Sequence, residues 1–428
     1  MIVVEPDLTW TGKRFERELR VAVDDVGRIA SIGAPGLETT HRLNGRALLP
    51  GFVNAHSHAF QRGLRGRGER FPSGAGSFWT WREAMYALVD GLSASQLGDL
   101  SRRAFHEMIG AGITAVGEFH YVHHPHGSFE WELDEAILTA ARDAGIRLVL
   151  LEAFYRTGGI GKPLTGAQRR FDSRSVAEYW RRMDSLQGRL DRSRESLGAA
   201  PHSIRAASLD EIVQVCAEAR SRGLVIHMHV AETAQETTDC RAAYGQGPLE
   251  LLTGRVEIDP RFTAVHGTQC PPAALEMFFR RGANVCLCPS TEANLGDGVP
   301  SLLAVPPGQL AFGTDSNVRI SAVEDMRWAE YGQRLARRQR GALVDGAGEV
   351  ARTLFHAATA GGARSLGIDA GAIAAGLWAD FIEIDLGTEE LEGWTVDTLL
   401  ESFVFGGSER SIAGTWIGGK PRFVRERT

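Results

Sequence analysis

The sequence predicts an α/β fold: a (β/α)8 TIM-like barrel with a small β-sandwich domain built from both chain ends. Three observations predict it. From residue 48 onward, eight short apolar segments that end in polar residues alternate with amphipathic segments of helical length. The histidines gather at the ends of those apolar segments rather than scattering along the chain. The two flanks read instead as short strands with turns, and neither holds enough apolar residues for a large core of its own. The expected division is 1–47 for the N-terminal part of the small β-domain, 48–375 for the barrel and 376–428 for the C-terminal part.

The eight expected strands are "LLPGFVNAH", "ITAVGEFHY", "RLVLLEAFY", "LGAAPHS", "LVIHMHVAE", "FTAVHGTQ", "NVCLCPST" and "LAFGTDSN". The fourth has the weakest apolar signal. Helices are expected in "SASQLGDLSRRAFHEMIGAG", "LDEAILTAARDAG" and "SLDEIVQVCAEARSRG", where apolar residues recur at helical spacing and glycines close the ends. Ser208 with Glu211 forms a capping-box pattern at the start of the last of these. The flanks contribute "LRVAVDDVGRIASIG" at one end, and "WADFIEIDL" and "GTWIGGKPRFVRE" at the other.

Composition excludes several classes. The 428 residues are 43% hydrophobic and 23% charged, as in a soluble globular protein. The net charge of -6 argues against nucleic acid as a partner. No apolar run approaches the roughly 20 residues of a membrane span. The first residues lack the basic and apolar segments of a signal peptide, and the five cysteines are few and odd in number. A cytoplasmic protein with reduced thiols is expected.

Barrels of this kind do chemistry at the C-terminal ends of their strands. Read in order, the strand ends supply His56 and His58, then Glu118, His120 and Tyr121, then His202 and Arg205, then His227, His229 and Glu232, then His266, and finally Asp315. In an extended segment His56 and His58 point the same way, as two ligands of one ion must. Three imidazoles and a carboxylate around one point make a plausible metal site with room for water. Cys286 and Cys288 are read as part of a buried strand rather than as soft ligands.

The HxH after the first strand, single histidines after the fifth and sixth, the aspartate after the eighth and "GAIAAGLWADFIEID" together resemble the amidohydrolase superfamily over nearly the whole chain. The resemblance implies one divalent ion per chain, with Zn2+ first and Fe2+ or Mn2+ as alternatives, held by His56, His58, His229 and Asp315. The pattern "HVAE" selects His229 over His227 and places Glu232 three residues on; His227 is expected deeper, in the core or behind the ligands. The implied catalytic set is Glu232, His266 and Asp315. Two-metal members use a carboxylated lysine, and none of Lys13, Lys162 and Lys420 stands at a strand end.

Within the superfamily, "NAHSHAFQRG", "FWTWREAMY", "GEFHY" and "PHSIRA" resemble most the formimidoylglutamate deiminases of histidine degradation, which release ammonia from N-formimidoyl-L-glutamate. That likeness implies a small anionic substrate lined by Gln61, Arg82, Tyr121, His202 and Arg205. Arginine suits it, because its planar fork matches a carboxylate. Arg82 is expected in a long loop, with Phe78, Trp79, Trp81 and Tyr86 supporting the pocket wall or a lid. The stretch "RGRGERFPSGAG" before it departs from the family's pattern and leaves the lid open. A homodimer is expected. Two alternatives stand beside this reading: a superfamily deaminase acting on a nucleobase or guanidino compound, and a barrel that has lost catalysis and serves as a scaffold.

Overall fold

The computed structural model describes residues 1–69, 76, 78–302, 306 and 308–426. Eight parallel strands follow one another around a barrel: β1 (Phe52–Ser57), β2 (Ile113–His120), β3 (Arg147–Phe154), β4 (Glu195–Pro201), β5 (Val225–Val230), β6 (Phe262–His266), β7 (Asn284–Leu287) and β8 (Leu310–Phe312). Neighbours in sequence are neighbours in the sheet throughout. Each of the strands is buried almost end to end, as expected where helices cover the outside and side chains fill the inside.

The ring closes between β1 and β8, beyond the end of the short β8. Asp315 N–H donates to the His56 carbonyl at 3.0 Å, and His58 N–H donates to the Asp315 carbonyl at 2.8 Å. A polar network reinforces this seam. Asn54 Nδ2 donates to Thr314 Oγ1 at 2.7 Å, and Thr314 Oγ1 to Asn317 Oδ1 at 2.6 Å. Asn317 Nδ2 reaches Ser57 Oγ at 3.1 Å and the His58 carbonyl at 3.0 Å. Gly313 belongs to the same seam: a Cβ there would stand 2.7 Å from both the Cβ and the carbonyl oxygen of His56, so only glycine lets the two strand ends approach.

The three expected helices form as Ala94–Gly110, Glu132–Ala144 and Leu209–Ser221. Ser208 and Glu211 complete the capping box, each side chain taking the other's backbone N–H. Two expectations are corrected. Phe78–Gly91 is a helix, not a long loop. Met85 and Val89 bury one face of it, and Arg170 takes the carbonyls at its C-terminal end, Val89 and, just beyond, Leu92. The C-terminal flank also carries a helix, Leu399–Phe405, whose Phe403 ring stacks 6.3 Å from Phe52 at the base of β1.

Both chain ends build one eight-stranded sheet. It has a small apolar cluster of its own, including Val4, Val21, Ile29, Leu48, Phe381 and Trp416. Its strand His41–Pro50 runs across the expected junction after residue 47, and β1 begins two residues later. A buried ion pair rivets sheet to barrel. Arg147, the first residue of β3, reaches Asp380 with Nε at 2.8 Å and Nη2 at 3.1 Å, and lies 4.1 Å over the Trp378 ring. Asp380→Ala leaves that guanidinium buried without its counter-charge. The expected cost is about 3–5 kcal/mol, read as a lower midpoint in urea or thermal unfolding; an unchanged midpoint would show the pair to be dispensable.

Candidate active site

Four donor atoms converge at the C-terminal mouth of the barrel. His229 Nε2 lies 3.3 Å from His58 Nε2 and 3.2 Å from His56 Nε2. Asp315 Oδ1 lies 3.2 Å from both His56 Nε2 and His58 Nε2. All four atoms lie within 4.8 Å of one another, and all four residues are buried.

Local structure aims each donor. His56 and His58 share a face at the end of β1, and His229 comes from β5 on the far wall. Asp315 follows β8 with φ +43, a left-handed conformation held by the seam described above. His56 Nδ1 has no hydrogen-bond partner among the described residues, but the other two rings are tied to main chain, His58 Nδ1 to the Phe119 carbonyl at 2.7 Å and His229 Nδ1 to the His202 carbonyl at 3.0 Å. A carbonyl only accepts, so the proton sits on Nδ1 and the Nε2 lone pair points inward. Burial pushes His56 down to about 3 and His229 well below its ordinary range, which keeps both rings neutral.

These observations test whether the residues fit a metal. Neutral lone pairs and a carboxylate oxygen packed this closely repel one another unless a cation lies between them. A tetrahedral ion with ligands at about 2.0–2.1 Å has ligand-to-ligand edges of about 3.3–3.4 Å, close to the separations found. The donor set therefore fits a divalent ion. All three lysines are exposed, so none is placed to bridge a second ion. Cys288 is buried, with a donor atom within 4.8 Å of His266 and Asp315 donors. The five cysteines are buried and unbridged.

Around this centre lies a pocket lined by His58, His229, Glu232 and Asp315, and by all five residues expected to meet substrate: Gln61, Arg82, Tyr121, His202 and Arg205. Gln61 Nε2 donates to Tyr121 Oη at 2.8 Å, and Arg82 Nη2 to Tyr155 Oη at 3.3 Å. Tyr155, Ser203 and Phe171 also line the pocket and were not singled out in the sequence. The Tyr155 hydroxyl was findable in principle, one residue beyond the end of β3. Residues 70–75 and the Trp79 side chain, which the expected lid included, lie outside the described residues.

The sequence left two arrangements unseen. Arg205 is not simply presented to the pocket. Its Nη2 binds Glu232 Oε2 at 2.5 Å, and its Nε lies 3.4 Å from Glu236 Oε2. Burial alone would favour the neutral guanidine, but Glu236 and Glu232 hold the charge on Arg205. Its Nη1 is buried with no hydrogen-bond partner among the described residues, leaving a donor for a ligand. Glu236 in turn accepts the backbone N–H groups of Ala231 and Glu232 at 3.2 and 3.3 Å, fixing the turn that carries Glu232.

His266 is the second case. It sits at φ +71 with Nδ1 3.2 Å from Glu292 Oε1, while Nε2 has no hydrogen-bond partner among the described residues and lies 3.9 Å from Glu232 Oε1. Burial would lower its pKa, but the Glu292 bond and the nearby Glu232 and Asp315 charges carry it to about 10.

Two other strand-end histidines face elsewhere. His120 turns outward from β2 to Asp134 at 3.0 Å, on the helix Glu132–Ala144. His227 lies deeper in β5, with Nε2 2.9 Å from the Ser365 carbonyl.

Residues 47–422 match the model of the amidohydrolase family. The chain is 40% identical to a formimidoylglutamate deiminase of Pseudomonas aeruginosa, across 95% of this chain and 91% of that protein. It is 29% identical to a 5-methylthioadenosine/S-adenosylhomocysteine deaminase of Natronomonas pharaonis, across 89% and 84%. Among solved structures, an amidohydrolase of Brucella melitensis superposes with a TM-score of 0.85 at 31% identity, covering 98% of this chain and 94% of the other. An adenosine deaminase of Xanthomonas campestris with bound zinc superposes at 0.81 and 25% identity, covering 99% and 93%.

Proposed function

Because the chain belongs to the amidohydrolase family, we propose that it hydrolyses N-formimidoyl-L-glutamate to N-formyl-L-glutamate and ammonia, a step of histidine degradation. The observation that carries this reading is the convergence of four metal donors, three of which line a pocket that two arginines also line. The likeness to the Pseudomonas aeruginosa deiminase supports the choice of substrate over those of the more distant nucleoside deaminases.

His56, His58, His229 and Asp315 would hold one divalent ion, for which zinc suits three imidazoles and a carboxylate, with iron or manganese as alternatives. When bound, such an ion lowers the pKa of a water toward neutrality and polarises the carbon under attack. Asp315 takes a proton from the attacking water. His266, held through Nδ1 by Glu292, orients that water with Nε2. The water oxygen bonds to the formimidoyl carbon, and the bond from that carbon to the terminal nitrogen breaks. Glu232 relays to that nitrogen the water's two protons, the one taken by Asp315 and the one lost from the new C–O–H as the carbonyl forms, so that the imino nitrogen departs as ammonia, since an amide anion does not leave. Arg205 and Arg82 take the substrate carboxylates, and Gln61, Tyr121 and His202 complete the polar wall. Five buried, unbridged thiols support a reducing compartment, the cytoplasm.

Elemental analysis of the purified protein is expected to give about one divalent ion per chain. Two ions with a modified Lys162 would overturn the one-metal site. Ammonia release should be greatest with N-formimidoyl-L-glutamate when it is run beside N-formimidoyl-L-aspartate, guanine, cytosine and N-guanidino-glutarate. Preference for a nucleobase would sink the substrate assignment and keep the metal site.

A further inference from the structure

Three segments meet at the cationic end of the pocket. The helix Phe78–Gly91 brings Phe78, Arg82 and Tyr86, spaced four residues apart and therefore on one face. The segment after β4 brings Arg205, whose guanidinium carbon lies 5.6 Å over the Phe78 ring. The segment after β3 brings Tyr155, to which the chemistry described above gives no task.

Tyr155 is fixed on every side. Its backbone N–H donates to Ser173 Oγ at 3.0 Å, and its carbonyl accepts the Ser173 N–H at 2.9 Å. Its buried ring meets Phe171 at 5.2 Å and His202 at 4.7 Å, edge-on to both. The next two residues stitch it to the segment that carries Arg205. The Arg156 and Thr157 N–H groups reach the Ala206 carbonyl at 2.6 and 2.9 Å, and Thr157 Oγ1 donates to the Arg205 carbonyl at 3.0 Å. The Tyr155 hydroxyl accepts from Arg82 Nη2 at 3.3 Å. One residue is thus bonded to Arg82 by its side chain and held beside Arg205 through the main chain.

The chemistry of a phenol says what else this hydroxyl can hold. A guanidinium N–H only donates, so Tyr155 Oη is the acceptor in its bond with Arg82 and keeps its own proton to give. Among the described residues it gives that proton to none. Arg205 Nη1 is a second donor in the same state. Two such donors lining one pocket fit a group that only accepts, a carboxylate, and mismatch a carboxamide, whose NH2 would face a donor.

Given an anionic substrate, as the proposed function has it, we infer that Tyr155 is a specificity-determining residue. Its hydroxyl takes an N–H from Arg82 and gives its proton to a carboxylate that the arginines bind, so that this end of the pocket admits the acid and rejects its amide.

Tyr155→Phe removes the hydroxyl and keeps the ring that packs on Phe171 and His202, so the fold stays. Steady-state kinetics test the inference with N-formimidoyl-L-glutamate and its two amides, N-formimidoyl-L-glutamine and N-formimidoyl-L-isoglutamine. The variant's KM for the diacid should rise about ten- to a hundredfold, the worth of one hydrogen bond to a charged group. Its kcat should stay within about threefold of wild type, because ground state and transition state lose the contact alike. Wild type should disfavour both amides. In the variant the preference for acid over amide should shrink about tenfold or more at one end of the substrate, the end that Tyr155 meets, and hold at the other. A merely structural role would instead weaken diacid and amides alike. A wild-type KM, a fall in kcat with KM unchanged, or a preference that shrinks at neither end or at both would overturn the assignment. A wild type that favours an uncharged substrate such as guanine overturns the proposed function as well, and shows it before any variant is made.

Discussion

Glu232→Gln is expected to slow turnover of N-formimidoyl-L-glutamate by about 10²–10⁴-fold, the range that general acid–base work contributes, while the metal stays bound. Glu232 stands at the edge of the donor cluster and is not one of its four members. It faces Arg205 with one oxygen and His266, at 3.9 Å, with the other. Glutamine keeps the size and an oxygen for Arg205 but cannot carry a proton to the leaving nitrogen. Pairing steady-state rates with elemental analysis reads both halves of the expectation. Loss of metal from the variant would make Glu232 a ligand and overturn its role as the proton carrier.

Arg205→Met is expected to lower kcat/KM for the same substrate by roughly thirty- to several-thousand-fold. That follows from about 2–5 kcal/mol for breaking a buried charge-assisted pair at about 1.4 kcal/mol per tenfold. The metal content should not change. On the proposed function Arg205 has two sets of partners to lose: a substrate carboxylate at Nη1, which has no hydrogen-bond partner among the described residues, and Glu232 with Glu236 on the other nitrogens. An analogue lacking one carboxylate tells the two apart. If Arg205 binds substrate, the substitution should harm the analogue less than the true substrate. Equal harm to both would mean that Arg205 acts only by holding Glu232. Because Arg205 and Glu232 touch, the double variant should lose less than the product of the two single losses.

How much of this was legible in the sequence depends on how far apart the contributing residues lie. The HxH spacing placed two donors on one face of a strand, because period-two alternation is a local rule. Ser208 and Glu211 announced their helix for the same reason. The pairing of Arg205 with Glu232 was not legible: each was singled out, but 27 residues and a whole helix separate them, and only the adjacency of β4 and β5 brings them together. Glu236 and Glu292 look like ordinary helix carboxylates until the fold shows one under the Glu232 turn and the other behind His266. The helix Phe78–Gly91 was masked by the glycine-rich stretch before it, and by aromatics that read as a lid. Its Met85 and Val89 do carry helical spacing, but that pattern counts only once there is a barrel mouth to bury it.

The seam between β1 and β8 has a consequence for how the protein is made. His56 and His58 leave the ribosome early, while Asp315 follows them by more than half the length of the chain, and Thr314, which locks onto Asn54, is 260 residues away from it. A growing chain therefore carries a pair of imidazoles, and later His229, for most of its synthesis without the carboxylate that completes the set. The four-donor cluster cannot exist on a truncated product, however stable its first strands. Completion of the centre is thus a check on the length of the chain: only a polypeptide translated past residue 315, with its last barrel strand seated against its first, has a place for the ion.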